Sequence, residues 1–530
     1  MTEPLCFLPA GDDAILVELA DLDTTLTLLD KLIADRPSGI RELVPAARTL
    51  LVTFDPILIS KKQLVEHISA LDLSVHSARF GNPHEIPVVY DGEDLADVAQ
   101  MLGESEEDVV RRHSQATYIV AFTGFAPGFA YMTCDDPTLD LPRRKSPRVR
   151  IPAGSVALGG KFSGVYPSSS PGGWQLIGRT PLKMWDTSRN PAALLAPGDK
   201  VRFRPISEAP ISIEEPPQKK APMSSIAAAI EVTRSDRPVL FQDFGRSGHA
   251  SQGVSGSGAL DRESLIKANL CVGNARGTPA LEVVLGGLSL RVGRAVTVAV
   301  AGAPCPLSIR TLSGSMVQAQ HGRAIALDAG DEVTLGYPPE GMRSYVAVRG
   351  GFHACNVLGS ASTDTLARIG PEPVEAGALL ALADLPVSAI DPFPIDMGPL
   401  PKTGDKVTLD IILGPRTDWF TEYGLSTLTG QEWDVTAESS RVGMRLAGSR
   451  PIERKDNGEL LSEGTVRGAI QIPHSGQPVI FLSDHPLTGG YPVIGVVARH
   501  HLGLAGQIPI GAKVRFNAIA DFDPLFRDIN

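Results

Sequence analysis

Five cations crowd the stretch Pro142-Arg143-Arg144-Lys145-Ser146-Pro147-Arg148-Val149-Arg150, although the chain as a whole is acidic, with a formal net charge of −11. Arginines this dense next to the turn Pro152-Ala153-Gly154-Ser155 suit a phosphate or carboxylate ligand. They suit a solvated loop or ion pairs with an acidic surface equally well. Downstream, Ser168-Ser169-Ser170-Pro171-Gly172-Gly173-Trp174 is rich in hydroxyls and glycine but lacks the Gly-Lys-Ser/Thr ending of a Walker loop, which excludes a P-loop. In the second half, Phe241-Gln242-Asp243-Phe244-Gly245-Arg246-Ser247-Gly248-His249 and Gly256-Ser257-Gly258-Ala259-Leu260-Asp261 set polar groups on glycine turns. Glu282 stands alone in an apolar strand, and Asp364 and Glu463 are similar lone carboxylates. Turn-capping and strand-edge positions explain such residues as readily as function does.

Other chemistries find little support. No Gly-x-Ser-x-Gly elbow and no Ser-Ser-Lys arrangement marks a serine hydrolase. The five cysteines, Cys6, Cys134, Cys271, Cys305 and Cys355, are scattered and never form a C-x-x-C pair, so they read as reduced thiols. No metal-binding spacing occurs, and no metal-ligating residues are expected. The acidic balance and the lack of a basic face argue against nucleic acid. The N-terminus lacks a basic n-region and an apolar h-region, and no window approaches a membrane span, so a cytoplasmic location is expected.

These residues need a scaffold of strands. With 53 glycines, 43 prolines and 21% charged residues, a turn-rich β protein is expected, and 530 residues exceed one core. Gly172-Gly173-Trp174-Gln175-Leu176-Ile177-Gly178 and Gly489-Gly490-Tyr491-Pro492-Val493-Ile494-Gly495 are near repeats. Each leads to a similar strand, Gly198-Asp199-Lys200-Val201-Arg202-Phe203 or Gly511-Ala512-Lys513-Val514-Arg515-Phe516, which predicts related β domains in tandem. The first 80 residues differ. Strands at Ala14–Leu19, Ile40–Val44 and Thr49–Phe54 alternate with helices at Leu22–Ile33 (Leu22, Leu26, Leu29 and Ile33 inward) and Lys61–Leu71. This βαββα order suggests a ferredoxin-like α+β domain, with room for a further closing strand. A Ser105-Glu106-Glu107-Asp108 capping box opens a later helix with Val109 and His113. Helices are also expected at about Asp261–Cys271 and Thr417–Leu428, and Ile211–Ser225 has linker composition.

Residues 120–186 resemble the B-type subunit of 5-oxoprolinase, a family also labelled allophanate hydrolase subunit 1 and sporulation kinase inhibitor. The motifs are Gly124-Phe125-Ala126-Pro127-Gly128-Phe129-Ala130-Tyr131, Pro142-Arg143-Arg144, Ile151-Pro152-Ala153-Gly154-Ser155-Val156-Ala157 and Ser170-Pro171-Gly172-Gly173-Trp174 through Thr180-Pro181. The second half is similar to the companion C-type subunit. It carries Gln242-Asp243-Phe244-Gly245-Arg246, Ser257-Gly258-Ala259-Leu260-Asp261, Leu281-Glu282, Val348-Arg349-Gly350-Gly351-Phe352, Asp418-Trp419-Phe420-Thr421, Leu460-Leu461-Ser462-Glu463-Gly464, Gly468-Ala469-Ile470-Gln471-Ile472-Pro473 and Thr488-Gly489-Gly490-Tyr491-Pro492. The chain thus looks like a B–C fusion, related also to the carboxyltransferase portion of urea carboxylase.

The resemblance implies a mainly β architecture. A ferredoxin-like domain (1–82) precedes a cyclophilin-like β-barrel (83–210), a linker (211–228) and two further β-barrel domains (229–395 and 396–530). It implies ATP-dependent opening of 5-oxo-L-proline to L-glutamate, with ATP and Mg as cofactors and a separate A-type subunit of the lactam-utilisation family as partner. A homo-oligomer is compatible with this reading. No Met-Lys-Met biotinyl signature occurs, so biotin is not expected on this chain. Lactam opening needs cations and backbone N–H groups around phosphates, and a group to orient water. Asp243, His249, Glu282 and Glu463 are candidates for the second role. Substrate or nucleotide would meet Arg143, Arg144, Pro152, Gly154, Ser155, Gly172, Gly173, Trp174, Gln242, Arg246, Ser257, Gln471, Gly489, Gly490 and Tyr491. The chain departs from the family pattern at Phe162-Ser163-Gly164, Ser255, Pro304, Ala361 (in place of an arginine) and Pro486. Those departures bear on the substrate. A regulatory protein binding a histidine kinase, or a component acting on another cyclic amide or a urea derivative, is the alternative.

Overall fold

The computed structural model describes residues 5–74, 81–144, 146, 148–207, 230–390, 398–456, 458 and 460–527. The expected linker and any strand closing the first domain after residue 74 fall outside them. The first sheet runs in the order Ile40–Pro45, Thr49–Phe54, Ala14–Glu18, Leu5–Pro9, Leu525–Arg527. The elements read from periodicity are present, but Leu5–Pro9 is an additional strand antiparallel to Ala14–Glu18. It is buried on both faces and therefore shows no alternation. The chain's C-terminal end returns to pair with it through Leu525–Arg527, so the last segment belongs to the first sheet.

Helix Leu22–Ala34 starts where the Asp21 carboxylate accepts the Thr24 N–H at 2.8 Å. It buries Leu26, Leu28, Leu29 and Leu32, whereas Ile33, expected inward, is 60% exposed. Helix Lys61–Ser69 opens on a reciprocal capping box between Ser60 and Gln63 and buries Leu64, Val65 and Ile68. Asp108 does not complete such a box: Ser105 Oγ accepts the Asp108 N–H and donates to the Asp108 carboxylate.

The two repeated phrases occupy equivalent places in two barrels. In the first, a seven-stranded sheet starts with Gln175–Arg179 and ends with Pro83–Val88, and reciprocal bonds between Val89 and Arg179, both 2.9 Å, join its edges. The strand Lys200–Pro205 runs parallel to Pro83–Val88, with Phe203 opposite Ile86. In the last domain a closed seven-stranded barrel repeats this pairing: Lys513–Ala520 runs parallel to Lys406–Leu413, with Phe516 opposite Leu409. Between them, residues 230–390 form a six-stranded and a five-stranded sheet around one apolar core. Helix Arg262–Cys271 is capped by Asp261, and the helix expected from Thr417 divides into a 3-10 turn, Thr417–Trp419, and a helix, Glu422–Gly430. Among the described residues no helix is long and apolar enough to cross a membrane.

The halves share a seam. Gly128 N–H donates to Gln252 O at 2.9 Å, Thr123 Oγ1 to Ala250 O at 3.1 Å and Arg499 N–H to Asp12 Oδ2 at 2.8 Å. Gly464 packs on Leu51, where an added Cβ would lie 2.6 Å from the leucine Cβ.

Candidate functional site

A cavity of about 180 Å³ lies in this seam. The first sheet supplies Glu18, Arg48 and Thr49; the last barrel supplies Arg416, Trp419 and the segment Leu460–Glu463. Arg416 is placed by its N–H, which bonds Val493 O at 2.9 Å, and by Thr417 Oγ1, which donates to Ile494 O at 2.9 Å. Its Nε lies 2.9 and 3.0 Å from the two oxygens of Glu463, and its Nη1 donates to Glu18 Oε2 at 3.0 Å. Glu463 sits on a short strand paired with Gly489.

The electrostatics favour proton chemistry. Burial pushes the Glu463 carboxyl above its ordinary range, Arg416 opposes this, and Glu18 and Asp418 reinforce it. Burial likewise raises Asp418, while Arg416 is held protonated by Glu463 and Glu18 despite its own desolvation. Glu18 and Glu463 thus grip one guanidinium whose charge also acts on Asp418, an arrangement able to hold or release a proton near the cavity.

Of the candidate residues, the structure gathers Glu463, Gln471, Gly489, Gly490 and Tyr491 along this edge. Gly490 abuts Leu460 O, Gly489 abuts the Gln471 amide, and Gln471 Nε2 donates to Tyr491 O at 3.1 Å. The remaining candidates lie in four other places. Glu282 is fully buried: it accepts from Tyr345 OH (2.7 Å), Arg441 Nη1 (2.5 Å) and Leu260 N–H (3.2 Å). Burial would raise its pKa, but Arg441 and Arg343 hold it low, so it is an ionic tie inside the C-like half. Arg441 also grips Asp484, which accepts from Ser257 Oγ at 2.7 Å.

Asp243 is saturated by Gly245 N–H, Ala361 N–H, Ser360 Oγ and Ser362 Oγ at 2.6–2.7 Å and holds a loop. Gln242 and Arg246 donate to Thr363 O and Ser362 O around the same loop. Ala361 is 2% exposed there. His249 accepts from Gln252 Nε2 at 3.2 Å on the short turn that meets the first barrel.

In the first barrel two of the cations, Arg144 and Arg148, form ion pairs. Arg144 and Arg148 both clasp Asp94, with the Arg148 contacts at 2.8 Å, and Asp94 also accepts Leu176 N–H at 2.7 Å. Burial would raise Asp94, but hydrogen bonds from Arg148 and Leu176 and the charges of Arg148 and Arg144 lower it. Ion pairing with Asp94 accounts for Arg144 and Arg148 in the structure, while Arg143 is exposed. Trp174 is packed in the core: at 6% exposure its ring centre lies 5.4 Å from that of Phe129 and 5.5 Å from that of Tyr131, in a cluster that also packs against Gly159 and Gly164. Gly172 faces the Tyr166 hydroxyl, Gly173 O accepts Arg144 N–H, and Gly154 N–H donates to Tyr166 O. Pro152 and Ser155 belong to that turn, where Pro152 O accepts Ser155 N–H.

Glu18, Arg416 and Trp419 are site residues that sequence reasoning misses. Trp419 lies in the quoted Asp418-Trp419-Phe420-Thr421 motif, which is the one signal that points to it. As to metals, Asp410, His500 and His501 place ligand atoms within 4.8 Å of one another, but His501 Nδ1 already accepts the Asp410 N–H at 2.8 Å.

Comparison with known proteins matches residues 252–518 to the family model "Carboxyltransferase domain, subdomain A and B" and residues 5–195 to "Carboxyltransferase domain, subdomain C and D". Over 288 residues the chain is 33% identical to the C-type subunit of 5-oxoprolinase from Escherichia coli (strain K12), covering 54% of this chain and 90% of that protein. Over 186 residues it is 40% identical to the B-type subunit of 5-oxoprolinase from Bacillus subtilis (strain 168), covering 32% of this chain and 77% of that one. The crystal structure of a protein named TTHA0988 superposes with a TM-score of 0.83 at 33% identity, over 95% of this chain and 99% of that chain.

Proposed function

The chain belongs to the carboxyltransferase-domain family, with a B-like and a C-like half in one polypeptide, and from that premise we propose that it is the B–C component of an ATP-dependent 5-oxoprolinase. The reaction is 5-oxo-L-proline + ATP + two waters to L-glutamate + ADP + phosphate, completed with a separate A-type subunit. The observation that carries the reading is the cavity between the halves, where Arg416 is shared by Glu18 of one and Glu463 of the other. At about 180 Å³ it suits a small cyclic amide and falls below the roughly 300 Å³ where cofactor-sized pockets begin.

The lactam carbonyl is a poor electrophile until ATP phosphorylates its oxygen, releasing ADP; water then attacks the carbon and loses a proton, the C–N bond breaks as the nitrogen takes up a proton, and a second water releases phosphate from the acyl phosphate left behind. Glu463, with its raised pKa, is the base that takes the proton of the attacking water, and Arg416 orients the carboxylate. With Arg144 and Arg148 of the first barrel held by Asp94, nucleotide handling is assigned in this reading to the A-type partner. Glutamate and ADP release from 5-oxoproline and ATP, measured with this chain alone, with its A-type partner and with Glu463→Gln in the mixture, tests the proposal. Turnover in the wild-type mixture alone supports it. Equal turnover by the Gln variant removes Glu463 from the chemistry, and no turnover in any mixture refutes the substrate. The name of the matched family favours carboxyl transfer as a second reading, which would appear as bicarbonate-dependent carboxylation with a biotin-bearing partner.

A further inference from the structure

Nine residues line the cavity between the halves, and most of their side chains are already committed. Arg416 holds Glu18 and Glu463, and Arg48 Nε donates to Leu19 O at 3.3 Å. Thr49 Oγ1 is sealed from solvent without a hydrogen-bond partner, and the side chains of Leu460 and Leu461 are apolar. Two polar ends remain. Trp419 Nε1 and Ser462 Oγ make no hydrogen bond among the described residues, and neither is sealed, both residues being half-buried.

The backbone holds both residues in place. Trp419 N–H donates to Arg416 O at 3.1 Å, its carbonyl accepts Lys455 N–H at 2.9 Å, and its ring packs against the core of the last barrel. Ser462 O accepts Ala47 N–H of the first domain at 3.3 Å, which ties the serine across the seam. Each residue therefore has a fixed origin and an unused polar end.

The chemistry of those ends decides what they can read. An indole N–H only donates, whereas a serine hydroxyl also accepts. Both are neutral and suit an uncharged group. A lactam has its amide locked cis, which puts C=O and N–H on one edge. An open-chain secondary amide is trans and points them in opposite directions. A cavity of about 180 Å³ brings both ends within reach of one small ring.

We propose that Trp419 and Ser462 together read the cis edge of a cyclic amide: the indole N–H donates to the carbonyl oxygen, and the serine hydroxyl accepts the ring N–H. The inference rests on the cavity being the reaction site, and it adds the two residues that set specificity there. An acceptor on the ring N–H also pushes electron density onto the amide oxygen, the atom that attacks phosphorus.

The test is equilibrium binding by the full chain of 5-oxo-L-proline, of N-methyl-5-oxo-L-proline, which lacks the ring N–H, and of N-acetylglycine, an open-chain trans amide. Wild type should bind 5-oxo-L-proline at least about tenfold more tightly than either analogue, the scale of one hydrogen bond. Ser462→Ala should abolish that preference. Trp419→Phe, which keeps an aromatic ring and removes the donor, should weaken all three ligands. Equal affinity of wild type for the three, a preference that survives Ser462→Ala, or affinities untouched by Trp419→Phe overturns the pair. Turnover of 5-oxoproline by wild type with the A-type partner would then show that the proposed function stands without it. Unfolding midpoints that fall in both variants with the preference intact assign the two residues to packing and likewise overturn the pair. A Ser462-dependent preference for 2-pyrrolidinone over its N-methyl derivative, without binding of 5-oxo-L-proline, keeps the pair and removes the substrate. No cyclic amide bound by wild type, alone or with the A-type partner, overturns both.

Discussion

Arg416 and Glu18 are 398 residues apart in the chain, yet Arg416 Nη1 donates to Glu18 Oε2 at 3.0 Å while the rest of the guanidinium holds Glu463. One side chain thereby joins the two halves and orders the candidate base. Removing the cation would leave two carboxylates facing each other in a poorly solvated seam.

Arg416→Met should therefore destabilise the protein by about 3–5 kcal/mol, the range for breaking a buried pair by deleting one partner. Urea unfolding checks this. A loss below about 1 kcal/mol would mean that water already reaches the pair.

Glu463→Gln separates chemistry from architecture. The amide keeps the shape and can still accept from Arg416, so the fold should persist while turnover with the A-type partner falls about 10²-fold or more, as for a lost general base. Its pH response adds a second readout. A carboxyl raised in the folded state contributes stability that is fully present below its unfolded pKa and lost as pH rises through the folded value. Wild type should accordingly lose more stability than Glu463→Gln as pH rises from that unfolded value, and parallel profiles would contradict the raised pKa.

Asp364 offers the same test in a different place. Burial, reinforced by the Asp484 charge, pushes its pKa up to about 6, from an ordinary value of 3.8. Its contribution is present below 3.8 and lost as pH rises through about 6. Asp484 is held low by Arg441 against its burial and acts in the opposite sense, losing its contribution as pH falls. Asp364→Asn should flatten the stability profile between those two values; denaturant midpoints measured across that window decide it.

Trp174→Ala should cost about 3–5 kcal/mol, as for truncation of a buried aromatic, because the indole fills the first barrel against Phe129 and Tyr131. The measurement is the urea midpoint alongside 5-oxoproline affinity. A large loss of affinity with unchanged stability would return Trp174 to the ligand.

The sequence discloses the elements of the first sheet because their periods are local: Leu64 and Ile68 recur at helical spacing and are buried. Local period also misleads at Ile33, since tertiary packing turns the helix toward Leu28 and Leu32. Leu5–Pro9 carries no alternation because both of its faces are covered. The site is only partly legible. Glu463 stands out as a carboxylate after an apolar pair, but its partner is invisible, since nothing near Glu18 or Arg416 signals that a strand end and a turn so far apart would meet. The cations at Arg144 and Arg148 look like a ligand site because Asp94, which neutralises them, lies about fifty residues upstream: 50 for Arg144 and 54 for Arg148.

The seam predicts that the halves need no covalent link. Strand Leu525–Arg527 pairs with Leu5–Pro9, Gly464 packs on Leu51, Ala47 N–H donates to Ser462 O, and Arg416 bridges Glu18. Residues 1–210 and 229–530 expressed as separate chains should co-elute as one complex and, with the A-type partner, retain turnover. Gly464→Ala places a methyl 2.6 Å from the Leu51 Cβ and should weaken that association. Because the cavity takes Glu18 from one chain and Glu463 from the other, activity should fall in step with the fraction associated. Co-elution without turnover would instead show that the covalent connection sets the cavity geometry, and separate elution would show that the contacts of the seam are held together only by the linker.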